Sequence, residues 1–111
     1  MTDRKIEDYL EDIITAIEAV ESFVKNTNFD KFQKDLKTQY AVVIKAIEII
    51  GEATRSIPDG FRKKHSNIPW KKMTGMRDRL VHDYIGVDLP TVWDTATKNI
   101  PPLKKLLREI I

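Results

Sequence analysis

The sequence contains no cysteine, which excludes disulfides, thiolate zinc sites, iron–sulfur ligation and a cysteine nucleophile, and suits a reducing compartment. It has only two histidines, His65 and His82, so imidazole chemistry has at most two centres per chain. Long hydrophobic runs are absent too: none approaches the roughly 18 residues needed to cross a bilayer. Nor does the N-terminus form an apolar signal core, since Arg4 and Lys5 lead into an acidic amphipathic stretch. The expected address is the cytoplasm, without a membrane. Glycine (4) and proline (5) are scarce, and no stretch alternates apolar and polar residues between turns, so there is no case for a sheet. What is present is the balance of an ordinary globular protein, 41% hydrophobic and 32% charged in 111 residues, enough for one domain over 1–111 with one modest core.

Apolar residues recur at Ile6, Leu10, Ile13, Ile17, Val20 and Val24 in steps of four and three, which predicts a long helix over about 4 to 26. Asn26, Thr27, Asn28 and Asp30 supply turn chemistry, with Asp30 the best N-cap candidate for a second long helix running to about Ser56. There Leu36, Tyr40, Val43, Ile47 and Ile50 repeat the spacing, and Ile57, Pro58, Asp59 and Gly60 end it. The two helices should form an antiparallel hairpin. Between Gly60 and Gly75 one or two helical turns are expected, anchored by Phe61 and Trp70. A helix over about 76 to 84 follows, and Asp88 with Pro90 reads as the cap and early proline of a last one. The Pro101 and Pro102 pair must kink or break it. The expected class is all-α, a bundle of four or five helices.

The net charge of +2 conceals an uneven layout. Residues 61 to 79 hold the seven bases Arg62, Lys63, Lys64, Lys71, Lys72, Arg77 and Arg79 against the single acid Asp78, a net +6, which leaves −4 elsewhere. A basic segment on an acidic body is the footprint of a phosphate-bearing partner, because lysine and arginine release counterions and steer association. A solvated lysine-rich loop gives the same composition. The first helix, with six acids and no base between Ile6 and Val24, would repel nucleic acid from its own face or serve only as soluble surface.

The stretch Gly75, Met76, Arg77, Asp78, Arg79, Leu80, Val81, His82, Asp83, Tyr84 is the most informative. On a helix Asp78 and His82 are four apart, close enough for the carboxylate to orient the imidazole and raise its basicity. Arg77 and Tyr84 share a stripe, while Arg77 lies about 140° around the helix from His82. A purely structural reading is equally available: Arg79 with Asp83 as an i, i+4 ion pair, and His82 and Tyr84 as packing residues. His65, beside Lys63 and Lys64, either helps bind phosphate or sits in solvent. Asp78, His82 and Asp83 do not make a recognised ligand spacing, so no metal and no cofactor is expected.

The run Arg77, four residues, His82, one residue, Tyr84 resembles the Arg-x4-His-x-Tyr motif of HepT-like toxins, which belong to the HEPN superfamily of small helical ribonucleases. Similar surroundings include Ile49, Ile50, Gly51, Glu52 and Ala53, then Ile68, Pro69 and Trp70, then Gly75 and Met76, and later Trp93, Pro101 and Leu103. The resemblance implies a HEPN-type bundle and a homodimeric, metal-independent endoribonuclease encoded beside a minimal nucleotidyltransferase antitoxin. It implies Arg77 and His82 as catalytic residues, Asp78 as a supporting one, and Tyr84 as the tyrosine that the antitoxin modifies with AMP. Lys71, Lys72, Arg79, Lys63 and Lys64 become candidate RNA contacts, and Glu48 and Glu52 further supporting residues. Two alternatives remain: a noncatalytic HEPN module that binds nucleotide or RNA, and a structural helical interaction protein.

Overall fold

The computed structural model describes residues 5–82 and 88–111, excluding the side chains of residues 43, 44 and 79–82. Every element among them is helical. Helix α1 (Ile6–Val24) falls within the expected span, and its stripe of Leu10, Ile13, Ile14, Ala16, Ile17 and Val20 is buried. The carboxylate of Asp8 accepts from the Lys5 amide at 3.1 Å and, with Glu7, places negative charge where the helix exposes its free N–H groups.

The second long helix departs from expectation at both its start and its register. Asn28, not Asp30, is the N-cap: its side chain accepts from the Lys31 amide at 2.9 Å, and α2 (Phe29–Lys34) takes Asp30 into its first turn. The chain then breaks at Asp35 (φ −108°, ψ 87°). Asp35 caps a new start, accepting from the Thr38 amide at 3.1 Å and the Thr38 hydroxyl at 2.6 Å. From there α3 (Leu36–Gln39), a π-helical segment (Tyr40–Ile47) and α4 (Glu48–Ser56) follow without interruption. Wider i→i+5 turns rotate the faces. Leu36 and Tyr40, expected inside, are exposed, whereas Ile47 and Ile50 are buried as expected, together with Val42 and Ala46. Ile57, extended before Pro58, ends the run as that proline dictates.

The expected hairpin is realised as α1 packed along the π-helical segment and α4. Its connection is itself helical, and it docks through aromatic contacts: Phe32, fully buried, and Phe29 lie 5.2 and 6.4 Å from Trp93 between ring centres.

Helix α5 (Asp59–Lys64) provides the short element, tied down by the Trp70 indole, which donates to the carbonyls of Arg62 (3.1 Å) and His65 (3.0 Å). Helix α6 (Trp70–His82) begins six residues before the expected 76. Buried Trp70 and Met73 anchor its first turn against the core. Gly75, read as a boundary, faces open space, and packing on either side outweighs its roughly 1 kcal/mol helix penalty. Asp88 caps α7 (Leu89–Asp94) as expected, accepting from the Thr91 hydroxyl at 2.6 Å. The proline pair bends the chain at Ile100 without ending helical geometry. A π-helical segment (Thr95–Asn99) lets the Ile100 amide reach Thr95 at 2.9 Å, and Pro101 and Pro102 then occupy the donor-free first turn of α8 (Pro101–Arg108). Lys104 to Glu21 (2.8 Å) and Arg108 to Glu18 (3.3 Å) tie α8 to the acidic α1.

The Asp35 cap carries a pH signature. Hydrogen bonds from the Thr38 hydroxyl and amide hold its carboxyl below the ordinary value. A lowered folded-state pKa stabilises the fold above the unfolded value and loses that contribution as pH falls through the folded one. In acid unfolding monitored by circular dichroism, Asp35→Ala should remove this part of the acid limb and leave the remainder.

Candidate active site

Helices α4 and α6 pack closely, and Gly51 shows why the approach is possible. A Cβ at Gly51 would overlap Arg77 Cβ and stand 2.8 Å from Arg77 Cγ. The bare α-carbon of α4 is thus the seat for the stem of Arg77, which any larger residue would displace. Beyond that seat the guanidinium lies among carboxylates. One terminal nitrogen is 3.5 Å from Glu52 Oε1 on α4, and the other is 3.4 Å from Asp78 Oδ1 on α6. Both contacts are longer than the roughly 2.7–2.9 Å of a strong charge-assisted hydrogen bond. Nε is buried without a hydrogen-bond partner among the described residues. Arg77 is therefore oriented, partly buried and incompletely neutralised, a suitable state for a group that receives an anion.

Asp78 has a second partner that sequence reasoning missed. Arg55, one turn past Glu52 on α4, donates from Nη2 to the same Asp78 Oδ1. Its signal was present, since Glu48, Glu52 and Arg55 follow one helical stripe, but nothing in α4 reveals which helix that stripe faces. Glu48 is half-buried on it and takes no part in an ion pair among the described residues.

The described part of α6 includes the backbone of His82, which places Arg77, Asp78 and His82 on one helix. The side chains of His82 and Arg79 lie outside the described residues, as do Asp83 and Tyr84 altogether. The sequence-level pairs Asp78 with His82 and Arg79 with Asp83 thus have no geometry here. Of the expected RNA contacts, Lys64, Lys71 and Lys72 are exposed, and Lys71 shares the helical stripe of Asp78. Lys63 is exposed but 3.0 Å from Asp59. His65 is neither free nor simply solvated: its ring packs on Phe61 with centres 4.6 Å apart.

The chain matches the ribonuclease HepT-like family over residues 13–110, which takes in α4, α6 and every residue around Arg77. It belongs to that family. A HepT-like relative from Thermococcus cleftensis, named "Probable ribonuclease HepT", is 50% identical over 101 residues, covering 91% of each chain. A relative from Caldanaerobacter subterraneus named "Putative RNase" is 45% identical over 103 residues, 93% of this chain and 91% of its own. Another of that name from Methanocaldococcus jannaschii is 42% identical over 111 residues, all of this chain and 91% of its own. No solved structure matches this HepT-like chain. None of its described helices is long and apolar enough to cross a membrane.

Proposed function

We propose that this HepT-like chain is a metal-independent endoribonuclease toxin of the cytoplasm. In this reading it acts as a homodimer and is silenced when a minimal nucleotidyltransferase antitoxin transfers AMP to Tyr84. The observation that carries the reading is Arg77, seated on Gly51 with its guanidinium only loosely paired, on the helix that also carries the backbone of His82. Family membership and the ribonuclease names of close relatives support it.

The chemistry follows from these groups. RNA carries its own nucleophile, so His82 removes the 2′-hydroxyl proton as that oxygen attacks phosphorus. The bond to the 5′-oxygen breaks, and the departing alkoxide needs a proton. Arg77 stabilises the charge growing on the nonbridging oxygens. With one such histidine per chain, a two-fold dimer supplies the second imidazole, one serving as base and the other as acid. Lys63, Lys64, Lys71, Lys72 and Arg79 hold flanking phosphates. AMP on Tyr84, two residues from His82, would place negative charge and bulk where the RNA phosphate approaches.

Incubating the purified protein with structured RNA in EDTA tests the reading: RNA should be cut and the corresponding DNA spared. Absence of cleavage at any protein concentration would favour a noncatalytic binding module. Tyr84→Phe should abolish transfer of labelled AMP by the partner, and label on that variant would refute the modification site.

A further inference from the structure

One oxygen of Asp78 serves two guanidinium groups unequally. Arg55 is in direct hydrogen-bond contact with Oδ1, whereas the Arg77 nitrogen stands 3.4 Å from the same atom. Arg77 and Asp78 are neighbours on α6, and among the described side chains of that helix no other cation holds the Asp78 carboxylate off its neighbour. The restraint comes from α4, which supplies both the glycine seat for Arg77 and the competing cation for Asp78. We infer that Arg55 is a positioning residue that holds the Asp78 carboxylate away from Arg77, so that Arg77 stays available for the RNA phosphate. The inference rests on Arg77 being the phosphate-binding group of the proposed ribonuclease.

Without Arg55, Asp78 would close on Arg77, and an incoming phosphate would have to displace it. The carboxylate is harmful only when unrestrained, so its removal should undo the damage done by losing Arg55. Neither of two simpler roles predicts that reversal. Were Arg55 a direct phosphate contact, its loss would persist whatever occupied position 78. Were it only a structural tie, losing both partners would be no better than losing one. Both side chains are about half exposed, 49% for Arg55 and 41% for Asp78, where an ion pair adds little to folding stability.

The test compares the full-length protein with Arg55→Ala, Arg55→Lys, Asp78→Ala and the double variant Arg55→Ala/Asp78→Ala. Two readouts are used: cleavage of a labelled oligoribonucleotide, and binding of its uncleavable 2′-O-methyl counterpart followed by fluorescence anisotropy. Arg55→Ala should lower kcat/KM and affinity on the order of 10-fold, through misplacement of a group that must meet the phosphate. Arg55→Lys, which keeps a cation beside Asp78, should retain most of both. The double variant should recover to the level of Asp78→Ala. An Arg55→Ala protein equal to the parent, or a double variant no better than Arg55→Ala, would overturn the inference. The two readouts separate the possible failures: the binding comparison decides the role of Arg55 even if no RNA is cut, whereas absent cleavage with reversal intact counts against the ribonuclease reading alone.

Discussion

Arg77→Ala should reduce kcat for RNA cleavage on the order of 10²–10³-fold, the usual cost of removing one preorganised donor from a developing oxyanion. That corresponds to about 3–4 kcal/mol of transition-state stabilisation. The loss should come mostly from kcat, because the phosphate carries more charge on its nonbridging oxygens in the transition state than before it. Arg77→Lys is the informative companion. It keeps the positive charge and an aliphatic stem on Gly51 but lacks the planar fork that lies between Glu52 and Asp78, so it should recover only part of the rate. His82→Ala should cost a further measure of the same kind, on the order of 10²–10⁴-fold, by removing the proposed proton carrier. Single-turnover cleavage of a labelled RNA measures all three. An Arg77→Ala protein that cuts at the parental rate would remove the basis of the assignment.

The second large effect belongs to a residue that performs no chemistry. Gly51→Ala should lower both stability and cleavage, although alanine is the better helix former by about 1 kcal/mol. Its new methyl group would fall on Arg77 Cβ, an atom fixed to the α6 backbone and unable to rotate away. Relief requires α4 and α6 to separate, and overpacking of this kind costs about 1–3 kcal/mol. The clash therefore outweighs the propensity gain. The accompanying shift of Arg77 should lower kcat on the order of 10²-fold, since a displacement near 1 Å is enough to spoil alignment. Urea unfolding together with cleavage rates checks both halves. Gly75→Ala is the matched control, because a Cβ there meets nothing within 4 Å; it should be neutral or stabilising and leave cleavage unchanged. If Gly51→Ala behaved like Gly75→Ala, the glycine would not be the seat of Arg77.

Much of the scaffold was legible from periodicity and punctuation. The α1 stripe, the stop at Ile57 before Pro58 and the Asp88 cap depend on neighbours within one helical turn, and local sequence carries that information. The errors arose where distant packing overruled a local signal. Asp30 looked like a cap, but Asn28, two residues earlier, places Phe29 and Phe32 against Trp93, far along the chain. Gly75 looked like a boundary, but Trp70 and Met73 had already anchored the helix to the core. Tyr40 fitted a 3.6-residue stripe, but the π-helical turns around it changed the rotation on which that stripe was drawn. The same limit applied to the site. That Arg77, Asp78 and His82 share one helix could be read from their spacing, whereas the approach of Arg55 from another helix could not.

By itself, the sequence determined an all-helical chain, a basic segment set against an acidic α1, and the placing of Arg77, Asp78 and the backbone of His82 on one helix. These follow from residue type and from spacing within a few turns. Only the tertiary structure decided that Gly51 lies beneath Arg77, that Glu52 reaches Arg77 from α4 and that Arg55 reaches Asp78 from the same helix. A helix specifies which residues share its face, but which face it meets depends on the joint packing of all the helices. The environment of Arg77 is a property of two docked surfaces and not of either strip of sequence.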